Sequence, residues 1–585
     1  MVQQPQYSLV FWGTTCLTTL LCPTSEATPF QAISFPTLIA QIPESNDERF
    51  LQPNEAPPQP LEGSDRNSIE TPPTTPTATP TNPLAPEPGP IRVNRLKLTD
   101  SSLFSLEDFQ TEFAPFIGQQ VSEASLQRLA DLVTERYLSD GYITSRAILN
   151  PESFDTGTIE IIVLEGGIEN IEVEGTNNLK PGYILKRVAL GARTPLNTGR
   201  LEDQLRLLRT DPLIENIEAS LRSGTEPAKS ILVVRVTEAR QFRGAATVDN
   251  YSPPSVGSER MGVNLSYQNL TGAGDELSGG MKRTTRGGSD TFDLSYRYPL
   301  NAMDGTLQLR ASFNRNNVVQ EPFNILDIRG NSELYEISYR QPLQRTPREE
   351  FALSMGLTYQ TGQTFTFAGP TPFGFGPEAD GSTTTTVLKF GQDYIRRDAR
   401  GAWAVRSQFS LGLDLLEATR NSGSIPDGQF LSWLGQIQRA QVLNENNFLI
   451  LSADLQYAFS PLLPSQQFVM GGGQSVRGFR QNVRAGDNGI RFSAEDRITL
   501  VRDEAGSATL VFAPFLDFGW VWNAQNNPNS LAAERFIAGL GAGLIWNPYP
   551  DFTVRFDYGL PLVDLDDRGT NAQDDGFYFS VIWRF

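Results

Sequence analysis

The 585-residue chain has a formal net charge of -19, with 39% hydrophobic residues and a mean hydropathy of -0.30. The acidic charge argues against nucleic acid as a partner, because phosphate neutralisation needs clustered Lys and Arg. Histidine is absent, and the only cysteines, Cys16 and Cys22, lie in an apolar stretch near the N-terminus. A zinc site, a His-based triad and a disulfide framework in the mature chain therefore lack their residues, and we expect no metal, no cofactor and no catalytic residue.

The same composition favours many short strands. Aromatic residues reach 10% and glycine 50 copies, which is typical of amphipathic strands separated by turns. Beyond the N-terminal region there is no apolar run of about 18 residues, which excludes a helical membrane protein. A membrane β-barrel stays possible, since its strands alternate apolar and polar positions and its mean hydropathy is that of a soluble protein.

Residues 1–40 are predicted to be a signal peptide or leader. The stretch from Ser8 to Cys22 has the length of a signal-peptide apolar region, although no positive charge precedes it, and cleavage after Ala27 or after Ala40 both fit. A disordered leader or a wrong start codon is the alternative. Residues 41–90 are dominated by Pro, Thr, Asn and acidic residues, so we predict a semi-extended linker.

The first folded module is predicted over residues 91–166. A strand begins at Ile91, where apolar and polar residues alternate. Ser105 with Asp108 has the pattern of a capping box at the start of a helix. A second helix opens at Ser122 and stops at Asp140-Gly141. Two further strands are predicted over residues 144–149 and 158–164.

The order strand, helix, helix, strand, strand recurs weakly over residues 167–240. Two modules of this kind would each place two helices on one face of a small mixed sheet and leave a sheet edge open.

Over residues 241–585 the sequence pattern changes to segments of about ten residues whose alternate positions are apolar. Met261, Val263, Leu265 and Tyr267 form one such face. The chain ends in GFYFSVIWRF, whose apolar face includes the terminal Phe585; on a soluble protein such a strand would promote aggregation, and in lipid it is expected. If the barrel has 16 strands, each strand with its turn takes about 22 residues, which suits tilted membrane strands.

From about Ile91 to the C-terminus the chain resembles the TpsB family of two-partner secretion transporters, the ShlB/FhaC/HecB-like branch of the BamA-related superfamily. The first module is similar to the first POTRA domain of that family through one set of residues: Tyr137, Gly141, Tyr142, Thr144 and Glu165-Gly166. The start of the barrel is similar through a second set: Asn250-Tyr251, Gly257, Asn269-Leu270, Gly274-Asp275 and Tyr298-Pro299-Leu300. Each member of the second set also fits ordinary turn chemistry, so it is their joint order that counts.

Two motifs carry the resemblance furthest: Val476-Arg477-Gly478-Phe479, and Phe515 with Asp517 and Gly519. In the family the first motif lies at the tip of a long extracellular loop folded into the barrel lumen, where its arginine pairs with the aspartate of the second. The resemblance thus implies a lumenal latch between Arg477 and Asp517. The alternative is a surface loop with an incidental arginine. Residues before Ile91 lack the helical period of the plug helix with which family members commonly begin.

The resemblance implies a transmembrane antiparallel β-barrel in the bacterial outer membrane, with two POTRA domains in the periplasm. It implies export of an unfolded partner, a TpsA-like exoprotein bound by the POTRA domains, to the cell surface without ATP. An insertase of the BamA type is the main alternative, but it usually has more than two POTRA domains. A passive porin would leave the two modules unexplained. An enzyme is not expected, because no acid/base motif stands out among the charged turns.

Overall fold

The computed structural model describes residues 69–70 and 86–585. The predicted leader over 1–40, with both cysteines, and most of the linker over 41–90 lie outside the described residues. In the part of the chain that is described, no helix has the length and apolar character needed to cross a membrane.

The first module packs two helical segments against a small mixed sheet. Strand β3 (Arg95–Thr99) pairs parallel with β6 (Thr158–Leu164), and β5 (Arg146–Leu149) pairs antiparallel with β6. Its core contains Phe109, Phe113, Leu126, Val133 and Tyr137, all with 3% exposure or less. Strand β1 (Ile69–Glu70) precedes this module and belongs to the sheet of the second one. The elements of the first module are β2 (Pro88–Arg92), β3 (Arg95–Thr99), α1 (Gln110–Phe113), β4 (Gln120–Val121), α2 (Glu123–Ser139), β5 (Arg146–Leu149) and β6 (Thr158–Leu164).

The structure differs from the sequence prediction at the start of this module. One strand was predicted from Ile91, but the chain changes sheets here, because the Val93 N–H donates to the Gln119 carbonyl and the Asn94 N–H to the Gly157 carbonyl. Strand β2 therefore pairs with β4, and only β3 joins the main sheet. The capping box is present, with the Asp108 carboxylate accepting from the Ser105 N–H at 2.7 Å.

The second module repeats the order of the first. Its sheet joins β1, β8 (Ile214–Ser223), β9 (Lys229–Glu238) and β7 (Gly167–Glu174) in that order. The two residues of β1 run parallel to Ala219–Ser220 on the outer edge of β8. The elements are β7 (Gly167–Glu174), α3 (Pro181–Val188), α4 (Thr198–Arg209), β8 (Ile214–Ser223) and β9 (Lys229–Glu238).

Asn197 joins the two modules. Its side chain caps α4 by accepting from the Arg200 N–H at 3.1 Å, and it donates to the Asp140 carbonyl at 3.0 Å. The Thr198 N–H donates to the Gly141 carbonyl at 3.0 Å. Gly141 has a φ of 88° where α2 ends, a conformation that favours glycine. The turn that ends α2 is thus also the junction between the modules.

The rest of the chain forms a closed antiparallel barrel of 16 strands, as predicted, in which the last strand pairs with the first. Its strands are β10 (Phe242–Asp249), β11 (Arg260–Gln268), β12 (Glu276–Thr284), β13 (Ser289–Pro299), β14 (Thr306–Asn317), β15 (Arg329–Arg345), β16 (Glu349–Thr366), β18 (Ser382–Asp398), β19 (Gly401–Leu413), β20 (Leu431–Val442), β21 (Asn447–Ala458), β24 (Asn488–Arg502), β25 (Ala508–Trp522), β26 (Phe536–Tyr549), β27 (Phe552–Pro561) and β28 (Phe577–Arg584). Short strands lie in loops: β17 (Gly369–Pro370), β22 (Phe468–Met470) and β23 (Arg484–Gly486).

The two faces of the barrel differ as the alternation predicts. On β11 the outward side chains of Met261, Val263, Leu265 and Tyr267 are 39–55% exposed, which suits contact with lipid. Inward polar residues such as Ser266 are buried in the lumen. The barrel begins beside the second module, so the short turns lie on the module side and the long loops at the opposite end.

Helix α3 docks the second module onto the barrel. The Arg187 guanidinium lies 3.3 Å from the Asp304 carboxylate in the β13–β14 turn, and its Cζ is 3.5 Å from the centroid of the Tyr183 ring. The Lys180 N–H donates to the Gly272 carbonyl in the β11–β12 turn at 2.9 Å. These contacts hold the second module against the mouth of the barrel.

Candidate functional site

The loop between β21 and β24, residues 459–487, folds back into the barrel. Its tip is buried: Val476 is 0% exposed, Arg477 2% and Phe479 4%. Gly478 has a φ of 101°, a left-handed conformation that lets the backbone turn at the tip. We call residues 459–487 the lumenal loop.

Two glycines of the barrel wall make room for this loop. A Cβ on Gly539 would collide with the Arg477 carbonyl oxygen, and a Cβ on Gly559 would lie 2.6 Å from the Gly478 nitrogen. Both distances are too short for real carbon atoms, so any side chain at either position would push the loop away. The wall of β26 and β27 is therefore shaped for the backbone of the loop tip.

Arg477 and Asp517 form a fork-to-fork pair in the lumen. The Arg477 Nε donates to Asp517 Oδ2 at 2.6 Å, and its Nη2 donates to Oδ1 at 2.9 Å. The backbone N–H of Arg477 also donates to Oδ2, at 3.1 Å. Asp517 is 0% exposed and accepts a further bond from the Ser493 hydroxyl at 2.6 Å. This bidentate geometry fixes the orientation of both groups.

The two remaining residues of the second motif also contact the loop. The Arg477 Cζ lies 3.4 Å from the centroid of the Phe515 ring, a cation–π contact. A Cβ on Gly519 would lie 2.5 Å from the Met470 sulfur and 3.4 Å from Val476 Cγ2, so this position too must stay small. All seven motif residues therefore meet at one place in the barrel.

Four charged residues that sequence reasoning missed complete the cluster. The Arg477 Nη1 donates to Glu495 at 2.7 Å and lies 3.7 Å from Asp557. Arg555 donates to both of these carboxylates at 2.7 Å, and Arg497 donates to Glu495 at 2.8 Å. With Asp517, three arginines face three carboxylates, so the cluster is neutral. Arg555 and Asp557 stand in no motif, and only the register of the barrel strands brings them to Arg477.

The electrostatics hold Arg477 in its charged form. Burial alone would lower the pKa of its guanidinium, but Asp517, Glu495 and Asp557 outweigh that cost and raise the pKa above its ordinary value. A buried charge is tolerated when it is paired and hydrogen-bonded in this way.

Nearer the outside, two more arginines tie the loop to its neighbours. Arg480 makes a bidentate pair with Asp574, at 2.8 and 2.9 Å. Arg484 does the same with Asp567, at 2.8 and 3.0 Å. The Arg484 guanidinium holds the pKa of Asp567 below its ordinary value. The loop is thus held by ion pairs from its tip to its base.

An apolar cluster fills the space around the ion pairs. Val476 and Phe479 from the loop tip pack with Phe468 and Met470 of β22, and with Ile537 of the barrel wall. Burial of such side chains stabilises the docked loop by about 1.5–3 kcal/mol each. The lumen beside β24–β27 is therefore occupied by the chain itself.

Comparison with known proteins decides the family. Residues 228–545 match the haemolysin secretion/activation protein family ShlB/FhaC/HecB, and residues 91–166 match the ShlB-type POTRA domain. The chain belongs to the ShlB/FhaC/HecB family.

Individual relatives agree with this assignment. The outer membrane transporter CdiB of Escherichia coli O6:K15:H31 is 24% identical over 84% of this chain and 81% of its own length. The solved structure of CdiB from Escherichia coli superposes with a TM-score of 0.67 at 21% identity, covering 88% of this chain and 93% of that one. BamA from Haemophilus ducreyi, lacking POTRA domains 1-3, superposes less closely, with a TM-score of 0.50 at 17% identity over 85% of this chain and 100% of that one.

The prediction of a partner-exporting transporter is thereby confirmed at the level of the family. The barrel lies in the outer membrane with its POTRA domains in the periplasm, and the protein exports a partner polypeptide. This orientation of the barrel in the membrane agrees with the fold, because the short turns lie beside the POTRA domains. The lumenal loop, at the opposite end of the barrel, is therefore extracellular.

Proposed function

We propose that the lumenal loop is the gate of an export channel, and that the exported partner crosses the barrel as an extended chain when the loop leaves its docked position. The observation that carries this proposal is the neutral ion-pair cluster around Arg477, which holds a loop inside the lumen where a translocating chain needs space. Folding of the partner outside would bias movement outward, so no ATP is required.

We further propose that Arg477 and Asp517 are the latch of this gate, with Val476, Gly478, Phe479, Phe515 and Gly519 shaping its seat. The proposed domain boundaries are 91–166 and 167–240 for the two POTRA domains and 241–585 for the barrel. Charge-assisted, bidentate pairs favour one docked geometry, which is what a two-state gate requires.

The partner binds, in this proposal, by adding a strand to the outer edge of β8. Only Ala219–Ser220 of β8 pair there with another described segment, the chain's own β1, so most of the edge is open among the described residues. That edge thus already pairs with an extended segment. The β5 edge of the first domain is less suitable, because the Ala147 N–H is occupied by the Thr134 hydroxyl at 2.9 Å. Backbone pairing tolerates many partner sequences.

A photo-crosslinking experiment tests this binding mode. A crosslinking amino acid at Glu218 of β8 is expected to capture the partner during export, since Glu218 is exposed on that edge strand. The matched control is Asn170, exposed on the opposite edge strand β7. Capture at Asn170 alone, with export intact, would place the partner elsewhere and refute strand addition at β8.

A further inference from the structure

The seam at which the barrel closes is short. Strands β10 and β28 pair at five positions, from Ala245 opposite Arg584 to Asp249 opposite Ser580. One more mutual pair of backbone bonds joins Gly244 and Phe585, at 2.8 and 2.9 Å. The neighbouring pair β27 and β28 has seven positions. Because the seam has few backbone pairs, side-chain hydrogen bonds at its extracellular end contribute to closing it.

Asn250 provides that extension. Its side-chain Nδ2 donates to the Phe577 carbonyl at 2.9 Å, and its Oδ1 accepts from the Phe579 N–H at 2.9 Å. The amide thereby extends the seam just beyond the end of β10, beside a backbone bond of 3.3 Å from the Asn250 N–H to the Phe579 carbonyl. Asn250 itself is 2% exposed.

Gln573, in the loop before β28, connects this seam to the lumenal loop. Its Nε2 donates to the carbonyl oxygens of Asn250 and Ser252, and its Oε1 accepts from the Gln481 N–H at 2.9 Å. Gln573 is 0% exposed. One side chain thus bonds the start of the barrel on one side and the lumenal loop on the other.

Tyr578 of β28 binds the loop tip beside the latch. Its hydroxyl accepts from the Gly478 N–H at 2.8 Å and donates to the Phe479 carbonyl at 2.6 Å. A Cβ on Gly473 of the loop would collide with the ring of Tyr251, just after β10, and would lie 3.0 Å from the ring of Tyr578. The loop therefore sits across the seam, in contact with both of its sides.

We propose that Asn250, Gln573 and Tyr578 form a seam clamp that couples closure of the barrel at β10 and β28 to docking of the lumenal loop. Bonds that close the seam and bonds that hold the loop run through the same buried residues, so loosening one loosens the other. The bonds of the clamp to the loop, at Gly478, Phe479 and Gln481, are additional to the ion pairs of Arg477. The seam clamp extends the gate proposed above, and its role in export rests on that proposed function.

The coupling can be tested with a cysteine reporter in the loop. Ser475 is 7% exposed in the docked loop, so Ser475→Cys should react slowly with a membrane-impermeant maleimide added outside cells. The parent chain without this substitution measures background labelling. Because labelling needs no exported partner, its result is independent of whether the proposed export is correct.

The deciding variant is Asn250→Ala, since both side-chain hydrogen bonds of Asn250 go to β28 and not to the loop. We expect it to speed labelling of the reporter by roughly 5–30-fold, because two backbone groups of β28 lose their side-chain partner. Tyr578→Phe, which releases the loop directly, should have an effect of similar size. An unchanged rate in Asn250→Ala would overturn the coupling.

Ser278→Ala is the matched control. It removes a cross-strand hydroxyl bond to Ser295, of 2.7 Å, at another strand pair of the barrel. Its labelling rate should equal that of the parent reporter. An equal rise in this control would mean general weakening of the barrel and would also overturn the proposal. The amount of folded barrel is measured by heat-modifiability on gels. If Asn250→Ala lowers it, Gln573→Met provides a second test. An unchanged labelling rate in Gln573→Met would count against the clamp in the same way.

Discussion

Arg477→Met should release the lumenal loop by breaking the charge balance of the cluster. The variant keeps three carboxylates, at Glu495, Asp517 and Asp557, against two arginines. Asp517 is 0% exposed and loses the two side-chain bonds of 2.6 and 2.9 Å, while the backbone N–H of residue 477 and the Ser493 hydroxyl still donate to it. Removing one partner of a buried pair costs about 3–5 kcal/mol. The undocked population should therefore rise by roughly two to four orders of magnitude.

The neutral double variant Arg477→Met/Asp517→Asn sharpens this prediction. Asp517→Asn removes one negative charge, so the double variant is again balanced, with two arginines and two carboxylates. It should recover about 1–3 kcal/mol relative to the sum of the single changes. The charge-reversed pair Arg477→Asp/Asp517→Arg should recover less. Its new carboxylate at position 477 faces two others, because in the parent chain the Arg477 side chain lies 2.7 Å from Glu495 and 3.7 Å from Asp557.

The assay is maleimide labelling of the Ser475→Cys reporter in each background, with single-channel conductance in planar bilayers as an independent measure of an open lumen. Labelling and conductance should rise most in Arg477→Met and less in the neutral double variant. If the effects of the two single changes simply add, or if Arg477→Met labels like the parent, the latch reasoning is wrong.

Three further predictions concern other parts of the chain. Gly539→Ala should displace the loop and raise conductance, whereas Gly279→Ala, whose Cβ would meet nothing closer than 3.7 Å, should not; equal conductance in both would contradict the close-packing argument. Burial alone would raise the pKa of Glu238, but backbone N–H groups of residues 177–179 outweigh it and lower the pKa. The stabilisation by this carboxylate is present above the ordinary Glu pKa of about 4.3 and is lost as the pH falls through the lower pKa of the folded state. Protection of residues 177–179 against hydrogen exchange should therefore fall with acid in the parent chain but not in Glu238→Gln. Asn197→Ala should cost about 0.5–2 kcal/mol through the lost helix cap and should speed limited proteolysis at the domain junction near Gly141, and unchanged cleavage would show that the junction holds without it.

The sequence allowed the architecture to be predicted because its signals are local. Alternation along β11 and the aromatic C-terminal strand indicate lipid-facing strands, and Ser105 and Ser122 mark helix starts by their caps. The break at Val93–Asn94 was missed because a change of sheet depends on partners at Gln119 and Gly157, which no alternation pattern reveals.

The site was only partly predictable, for the same physical reason. Arg477 and Asp517 stand in motifs that draw attention, and their role as a latch stays a prediction. Glu495 and Arg555 stand in no motif, and only the register of β24 and β27 against the loop brings them together. Asn250 and Gln573 are separated by more than half of the chain, and barrel closure alone makes them neighbours.

Export of a partner by this protein can be tested by co-expression. A candidate exoprotein encoded beside this protein is co-expressed with the wild-type transporter, with Arg477→Met and with no transporter, and its amount at the cell surface and in the medium is measured together with the assembly of unrelated outer-membrane barrels. We expect the exoprotein to appear outside only when the transporter is present, and other barrels to assemble equally in all three strains. Exoprotein outside without the transporter, or failed assembly of other barrels in its absence, would contradict it, and the second result would favour an insertase.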